Sequence, residues 1–382
     1  MFGFDTYKRM TLGLMLAAVP GFVAGCAKFE NDLAKVPVSF ATYSSRVMES
    51  KAGSGYVAPG GDFAPGAEIA VFGYHHDASD WDTDQASGAN IPDFMYNQLL
   101  TKQDDGSWDY SPVKYWPNEY GANAASSAID RLSFWGYYPR GASGLNLYKP
   151  GTTTPFDNGT SGVPKVAFTQ SEDPDEMTDL MFCGPLKDLY KTQGHVVGSD
   201  EKHYGYISDG EVLLTFKHAL SLVEFQLAEG TGAELNLLRL TNIKKSGTVE
   251  DPSSLPIEWS NVGSEYTLER ANIDIHDATI LRLLAIPQTI SADATFTINY
   301  NITFESSDPT HPDPIVYTGD SFSVKLFKKT GPVAEQYGVT AWEPGKHYIY
   351  KIAAGLDRIE FEEIVESADD WSVGNSNISV PD

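Results

Sequence analysis

Three acidic side chains at alternating positions come nearest to forming a metal site in this sequence. Asp80, Asp82 and Asp84 have the oxygen spacing with which a calcium-binding loop begins. The later positions do not fit, because Gln85 stands where such a loop needs glycine and Ile91 where it needs a bidentate glutamate. We therefore predict a solvated acidic loop here and no metal site.

Histidines and serines also lack the arrangement that catalysis needs. His75 and His76 are adjacent, so on a strand they point to opposite faces and cannot chelate one ion. The eight histidines include no HExxH motif, and no serine lies in a GxSxG motif. Residues 53–58 match a dinucleotide-binding pattern only formally, since no strand–helix unit surrounds them. The sequence predicts a protein that is not an enzyme and has no cofactor.

The N-terminal segment of residues 1–25 is typical of a removed signal. It has a charged start with Lys8 and Arg9, a short apolar run, and three small residues directly ahead of Cys26. The run is too short to span a bilayer, which needs about 20 apolar residues. The small residues resemble the bacterial lipobox, whose cysteine is acylated and becomes the mature N-terminus. The alternative is an ordinary secretory signal followed by a coincidental cysteine.

Charge and cysteine content restrict partners and stabilising bonds. The formal net charge is -25, which repels phosphate backbones and anionic headgroups, so we predict no nucleic-acid partner. Attachment to the outer membrane then depends on the lipid at Cys26. Cys183 is the only other cysteine, so no intrachain disulfide can form once Cys26 is acylated. We expect Cys183 to be a buried, inert thiol rather than a nucleophile.

The stretch of residues 211–227 organises the rest of the chain. Its apolar side chains alternate with a period of two, but the parity changes partway along, so the chain must break or bulge near residues 217–221. We predict two consecutive strands that share a corner and open a second domain. The alternating residues are Val212, Leu214 and Phe216, then Val223, Phe225 and Leu227.

Other segments show strand alternation and turn residues, with few helix signals. Val36, Val38 and Phe40 predict a first strand, and Asp105-Gly106 predicts a hairpin turn. We further predict a polar loop over residues 77–92, a long loop over 141–165, a short helix over 173–183, and strands at 66–74, 132–138, 235–240, 273–275, 281–286, 296–304, 322–326, 347–353 and 359–365.

This succession predicts an all-β chain with two consecutive antiparallel β-sandwich domains, transthyretin-like or Ig-like, and few short helices. The predicted parts are a lipoprotein signal peptide (1–25), a tether (26–36), an N-terminal sandwich (37–208), a C-terminal sandwich (209–372) and a tail (373–382). In the tether, Lys28, Glu30 and Asp32 resemble an acidic signal that sends lipoproteins to the outer surface.

The order of several motifs resembles the Mfa-like fimbrillin family, subunits of type V pili in gut and oral bacteria. The resemblance covers residues 38–371, nearly all of the predicted mature chain. The motifs are GAEIAVFGY (66–74), GSWDYSPVKYWP (106–117), RLSFWGYYP (131–139), DLMFC (179–183), VLLTFKHALSLVEFQL (212–227), WEPGKHYIYKI (342–352) and DDW (369–371).

The resemblance implies a lipoprotein precursor that polymerises on the cell surface by donor-strand exchange. An arginine-specific protease would cut after the first strand, and Arg46 is the implied site. The strand with Val36, Val38 and Phe40 would then be expelled, and a segment from a neighbouring fimbrial subunit would take its place. An incoming strand pairs main-chain groups and fills apolar pockets at once.

The tail is the implied donor, with Val373, Ile378 and Val380 as its apolar residues. It is short for a stalk subunit, so an anchor, tip or accessory role stays open, as does a donor that includes the preceding strand. The receptor, on host or bacterium, is unknown. A second hypothesis is a surface glycan-binding lipoprotein of β-sandwich modules, with exposed tryptophans such as Trp81 and Trp108 as sugar platforms.

Overall fold

A computed structural model gives the fold of the segments that carry most of the predicted strands. Among the residues that the structure describes, no helix combines the length and the apolar composition needed to cross a lipid bilayer. The predicted strand at 273–275 lies outside the described residues. The structure describes residues 36–44, 63–117, 130–189, 196–197, 203–206, 211–227, 233–271, 279–304, 313, 315–328, 338–354, 359–366 and 376–378.

Strands dominate the described residues, as the alternating pattern predicts. Helix α1 spans Trp81–Ser87, and a single 3-10 turn spans Pro174–Glu176. The strands are β1 (Ser39–Ser44), β2 (Glu68–His76), β3 (Met95–Lys102), β4 (Trp108–Asp109), β5 (Arg131–Tyr138), β6 (Leu145–Tyr148), β7 (Lys165–Thr169), β8 (Met181–Leu189), β9 (Val196–Val197), β10 (His203–Tyr206), β11 (Glu211–His218), β12 (Ser221–Leu227), β13 (Ala233–Val249), β14 (Trp259–Ala271), β15 (Thr279–Ala285), β16 (Gln288–Thr289), β17 (Thr295–Phe304), β18 (Ile315–Lys325), β19 (Ala341–Trp342), β20 (His347–Ala354), β21 (Ile359–Glu366) and β22 (Ser376–Ile378).

Three larger sheets and one small sheet hold these strands. The N-terminal sheet has the order β4-β3-β2-β5-β8-β11-β10-β9, and β1 is also paired with β11. The five-stranded sheet has the order β15-β12-β20-β21-β22, and the six-stranded sheet has β18-β17-β13-β7-β6 with β14 on β13. Strands β16 and β19 form the small sheet. The all-β prediction is confirmed. Two described pairs, β1–β11 and β12–β20, are parallel rather than antiparallel.

The predicted corner in residues 211–227 is confirmed. Strand β11 ends at His218 and lies in the N-terminal sheet, whereas β12 begins at Ser221 and lies in the five-stranded sheet. On β12, Phe225 stacks against Phe296 of the six-stranded sheet with ring centroids 4.5 Å apart. The five- and six-stranded sheets thus pack face to face as a sandwich, with this aromatic contact in its core.

A helix occupies residues that the sequence analysis predicted as a polar loop. Helix α1 begins after Asp80, whose carboxylate accepts a hydrogen bond from the Thr83 N–H (2.8 Å). It ends at Gly88, which has a φ of 75°. The loop prediction for 77–92 was wrong because aspartate at an N-cap and glycine just after a last turn mark the two ends of a helix.

The helix predicted over residues 173–183 was also wrong beyond its first turn. The Asp173 carboxylate accepts a hydrogen bond from the Asp175 N–H (3.0 Å), as expected for a cap, but Met177 is already extended. The residues that follow form β8. They bury successive side chains in two different cores, which requires the two-residue period of a strand.

The N-terminal sheet is covered on both faces. One face holds a hydrophobic core that includes Val38, Phe40 and Phe134. The other face contributes Phe72 and Trp135 to a second core, which continues into the sandwich of the other two sheets. Strands β6 and β7 belong to the six-stranded sheet, although β6 lies in the loop predicted over 141–165. The domain boundaries stay a prediction.

Candidate functional site

Strand β1 and the residues just before it lie between two separate segments of the chain. Residues Ser39–Ser44 pair in parallel with β11. Before them, the Val38 N–H donates to the Lys114 carbonyl (2.9 Å), and the Trp116 N–H donates to the Val36 carbonyl (3.0 Å). Main-chain hydrogen bonds therefore hold this segment to β11 and to residues 114–116.

Two apolar side chains of this segment point into the core of the N-terminal sheet. Val38 is 1% exposed and Phe40 is 3% exposed, whereas Ser39 between them is exposed. The Phe40 ring lies edge-on to Tyr110 (5.7 Å) and to Phe134 (5.5 Å). Burying a side chain of this size contributes about 2 kcal/mol. Val36, the third predicted residue, is half-buried.

Polar contacts add to this attachment. The Tyr110 hydroxyl donates to the Val38 carbonyl (2.6 Å), and burial raises the pKa of Tyr110 above its ordinary value. The Trp108 indole N–H donates to the Thr42 hydroxyl (3.1 Å). Because the contacts are main-chain pairing, two apolar side chains and two side-chain hydrogen bonds, an extended segment with the same alternation fits the same position. We call this position the first-strand seat.

Only part of the other predicted sites lies among the described residues. Ile378 lies in β22, which pairs antiparallel with β21 at the edge of the five-stranded sheet, so that Ile378 is opposite Ile364. The predicted lipidation and cleavage residues, and the two other apolar residues of the tail, lie outside the described residues. These are Cys26, Arg46, Val373 and Val380.

A serine, a histidine and an aspartate are connected as in a catalytic triad. The His76 ring contacts the Asp84 carboxylate through Nδ1 (2.6 Å) and the Ser133 hydroxyl through Nε2 (2.9 Å). Both His76 and Ser133 are fully buried, and the Ser133 oxygen also accepts a hydrogen bond from the Asp188 N–H (2.9 Å). No substrate reaches a hydroxyl in this position. The cluster ties α1 to β2 and β5.

Sequence reasoning missed this cluster, because its members lie far apart in the chain and a triad is recognised from geometry. The prediction that Cys183 is buried is confirmed. This burial raises the pKa of its thiol. His218 is a core residue whose Nδ1 lies 3.1 Å from Asp179 Oδ1.

The tryptophans proposed as sugar platforms are not exposed. Trp81 and Trp108 are both buried. Trp81 packs edge-on against Tyr74, with ring centroids 5.0 Å apart, and Trp108 packs against Phe63. The glycan-binding hypothesis therefore loses the two platforms on which it depended, because a sugar stacks only on an exposed ring face.

The chain is similar to several proteins of solved structure. A putative cell adhesion protein from Bacteroides uniformis is 14% identical, covers 88% of this chain and 98% of its own, and has a TM-score of 0.47. One from Bacteroides ovatus is 16% identical, with 90% and 100% covered and a TM-score of 0.47. The tip fimbrial protein Mfa3 from Porphyromonas gingivalis, truncated at its C-terminus, is 11% identical, with 80% and 95% covered and a TM-score of 0.33.

No curated protein matches the chain. The sequence model of one family does match it, from residue 57 to residue 371, which includes all three larger sheets except β1 and β22. This match covers most of the chain. The protein belongs to the fimbrillin-like family.

Proposed function

We propose that this protein is a structural subunit of a surface fimbria that mediates adhesion, and that the first-strand seat joins it to a neighbouring subunit. Membership of the fimbrillin-like family supports a role as a fimbrial or adhesion subunit. The observation that carries donor-strand exchange is the attachment of β1. The strand is held through main-chain pairing and through the buried Val38 and Phe40, and a strand from another chain supplies both kinds of contact.

Cleavage after Arg46 would separate β1 from the rest of the fold. Arg46 is the only arginine between β1 and β2, so an arginine-specific protease has one site in this connection. After the cut, β1 is held by noncovalent contacts alone. The lipid on Cys26 would leave together with the released strand. The precursor would thus be anchored in the outer membrane and the processed subunit would enter the fimbria.

The C-terminal tail has a pattern that fits the first-strand seat. Ile378 and Val380 are two positions apart, the same separation as Val38 and Phe40, so in an extended segment both point to one face. Val373 adds a third apolar residue. Donation of this tail requires β22 to leave β21, where Ile378 pairs in the free subunit. Because β22 is the end strand of this sheet among the described residues, its departure breaks one ladder only, the one with β21.

Cleavage and polymerisation test the proposal together. The purified chain, treated with an arginine-specific protease, should be cut after Arg46 and should give ladders that resist SDS without boiling. The matched control is Arg46→Lys, which keeps the charge and resists this protease, so it should stay monomeric. Ladders from the Arg46→Lys variant, or complete cutting without any ladder, would contradict the proposal.

A peptide experiment tests whether the first-strand seat accepts a donor strand. It applies even if a different subunit supplies the donor in the fimbria. A synthetic peptide of residues 372–382 should bind the cut chain and raise its Tm, but should not bind the uncut chain. The control peptide carries Ile378→Asp and Val380→Asp, because a charge cannot enter the pockets of Val38 and Phe40 without a large desolvation cost. Equal binding of both peptides would show that the seat does not select apolar side chains.

A further inference from the structure

A cleft of about 410 Å³ lies on the face of the N-terminal sheet opposite the first-strand seat. Strands β8 and β11 form one side, with Lys187 on β8 and Lys217 on β11. The loop between β13 and β14 forms the other side, with Leu255 at its rim. The volume is within the range of ligand pockets, roughly 300–1,000 Å³, and fits one or two sugar rings.

Two lysines line this cleft on a protein whose net charge is -25. Lys187 is already neutralised, because its Nζ lies 2.8 Å from an Asp82 carboxylate oxygen. Lys217 has no ion-pair partner among the residues that the structure describes. Lys217, a half-buried residue, is therefore the lysine of the cleft with which an anionic ligand can pair.

Hydroxyl groups and apolar surface accompany this cation. Ser253 and Ser254 line the cleft, and their hydroxyls donate to the Asp251 carboxylate, with Ser254 Oγ 2.7 Å from Asp251 Oδ2. Each serine oxygen keeps a lone pair that can accept a hydrogen bond from a ligand hydroxyl. Phe182 and Ile257 are buried at the cleft, and Leu255 is 58% exposed. Their apolar surface suits the C–H face of a sugar ring.

The main chain around the cleft disfavours an extended peptide as the ligand. Strands β8 and β11 are paired with each other at this point, with Lys217 opposite Phe182. Their main-chain groups are thus used within the sheet, and a peptide finds no free strand edge to pair with. A compact ligand that uses side-chain hydroxyls and one carboxylate contact fits better.

We propose that this cleft binds an acidic sugar, with the carboxylate on Lys217, a ring hydroxyl on Ser254 and the ring against Leu255. This sugar site would serve the adhesion part of the proposed function, and its biological meaning rests on that function. It does not depend on donor-strand exchange, because the cleft is formed in the uncleaved chain. Failure of cleavage or polymerisation therefore does not contradict sugar binding at the cleft. Failure of sugar binding likewise does not contradict donor-strand exchange.

Ligand-observed NMR titration of the uncleaved chain tests this with methyl β-glucuronide and with methyl β-glucoside, which lacks the carboxylate. The glucuronide should bind saturably and about tenfold more tightly than the glucoside, because one charge-assisted hydrogen bond is lost with the carboxylate. Added salt should weaken binding of the glucuronide and leave binding of the uncharged glucoside unchanged. Equal affinities, or no saturable binding of the glucuronide at millimolar concentration, would overturn the proposal.

Variants locate the binding. Lys217→Gln should weaken glucuronide binding about tenfold. Lys187→Gln should have a smaller effect, since Lys187 is already paired. The control Lys149→Gln removes an exposed ion pair with Asp157 outside the cleft and should change nothing. Leu255→Trp is a second test that does not disturb the core, because Leu255 is exposed, and it should block the mouth. Unchanged binding in Lys217→Gln and Leu255→Trp would overturn the proposal.

Discussion

Residues 211–227 form strands β11 and β12, and each of them pairs with a parallel neighbour, β1 and β20 respectively. These two neighbours differ in how firmly they are held. Strand β1 pairs with β11 over six residues, and β20 pairs with β12 over six residues. Strand β20 also pairs along its other edge with β21. Among the described residues, the ladder of Ser39–Ser44 is with β11 alone. The same pairing geometry thus occurs once at an edge and once inside a sheet.

The surroundings of the two strands increase this difference. On β20, the Tyr350 ring stacks against Phe225 (5.0 Å), and the Trp342 indole N–H donates to its hydroxyl (3.0 Å). Next to it, the Glu224 carboxylate connects three strands through Arg282 and His347. The difference gives a physical reason why β1, and not β20, is the strand that we propose is exchanged: among the described residues, one edge of β1 has no strand ladder and fewer contacts cross from it to other strands.

The largest expected effect comes from breaking the interior pair. Tyr350→Ala removes a fully buried ring and leaves a cavity between the two sheets of the sandwich. We expect a loss of about 4 kcal/mol in the free energy of unfolding, measured by urea denaturation. The exposed Tyr96 serves as the control, and Tyr96→Ala should cost far less. A small loss for Tyr350→Ala would mean that this strand is no more firmly held than β1.

Acid should weaken the interior pair through Glu224. Burial alone would raise the pKa of this carboxyl, but hydrogen bonding and charge from His347 and Arg282 outweigh it and lower the pKa to about 2, from 4.5. The stability contribution is therefore complete above pH 4.5 and is lost as the pH falls toward 2. Its full size is about 3 kcal/mol.

Urea denaturation between pH 7 and pH 2 measures this contribution, with Glu224→Gln as the control. The glutamine has the same shape and no titrating group, so its stability should change less over this range. The difference between the two proteins should shrink as the pH falls below 4.5. A constant difference would mean that Glu224 keeps its ordinary pKa in the folded chain.

A smaller effect is expected at the edge strand. Phe40→Ala would cost 3–5 kcal/mol in a closed core, but here the loss is limited by the free energy of detaching β1. We expect about 2 kcal/mol, seen as faster hydrogen exchange of the amides in β1 and β11 and not in β20. Ser39→Ala, at the exposed neighbouring position, should leave exchange unchanged. Faster exchange across the whole chain would show that β1 does not open separately.

Alternation along the sequence predicted many of the strands, but it missed β6, β8 and β14 and did not predict which strands are neighbours. The apolar pattern of residues 211–227 identified the corner between β11 and β12, because a strand with one buried face has a fixed period of two. It identified Val38 and Phe40 in the same way. The partners of the first strand, β11 and residues 114–116, could not be predicted, since pairing between distant segments is set by the tertiary fold.

The features of the candidate site that sequence reasoning did not predict also depend on contacts between distant segments. The glycan-binding hypothesis needed Trp81 and Trp108 to be exposed, whereas Trp81 packs from α1 against Tyr74 of β2, and Trp108 packs against Phe63 and donates to Thr42 of β1. The contact from His76 to Asp84 and Ser133 joins a helix and two strands, and no local spacing encodes it. Sequence patterns therefore predict which face of an element is apolar, and contacts between elements decide which polar groups meet.

The smallest predicted effect isolates one hydrogen bond at the first-strand seat. Tyr110→Phe removes the hydroxyl that donates to the Val38 carbonyl, and Tyr96→Phe removes a similar hydroxyl that donates to the Phe156 carbonyl (2.7 Å) away from β1. One such bond contributes about 1 kcal/mol. After cleavage at Arg46, the released strand should therefore dissociate about fivefold faster in Tyr110→Phe, measured by displacement with the 372–382 peptide. The Tyr96→Phe rate should match the unsubstituted chain. Equal acceleration in both variants would mean that the seat loosens with the whole fold, and that the edge and interior strands do not differ as proposed.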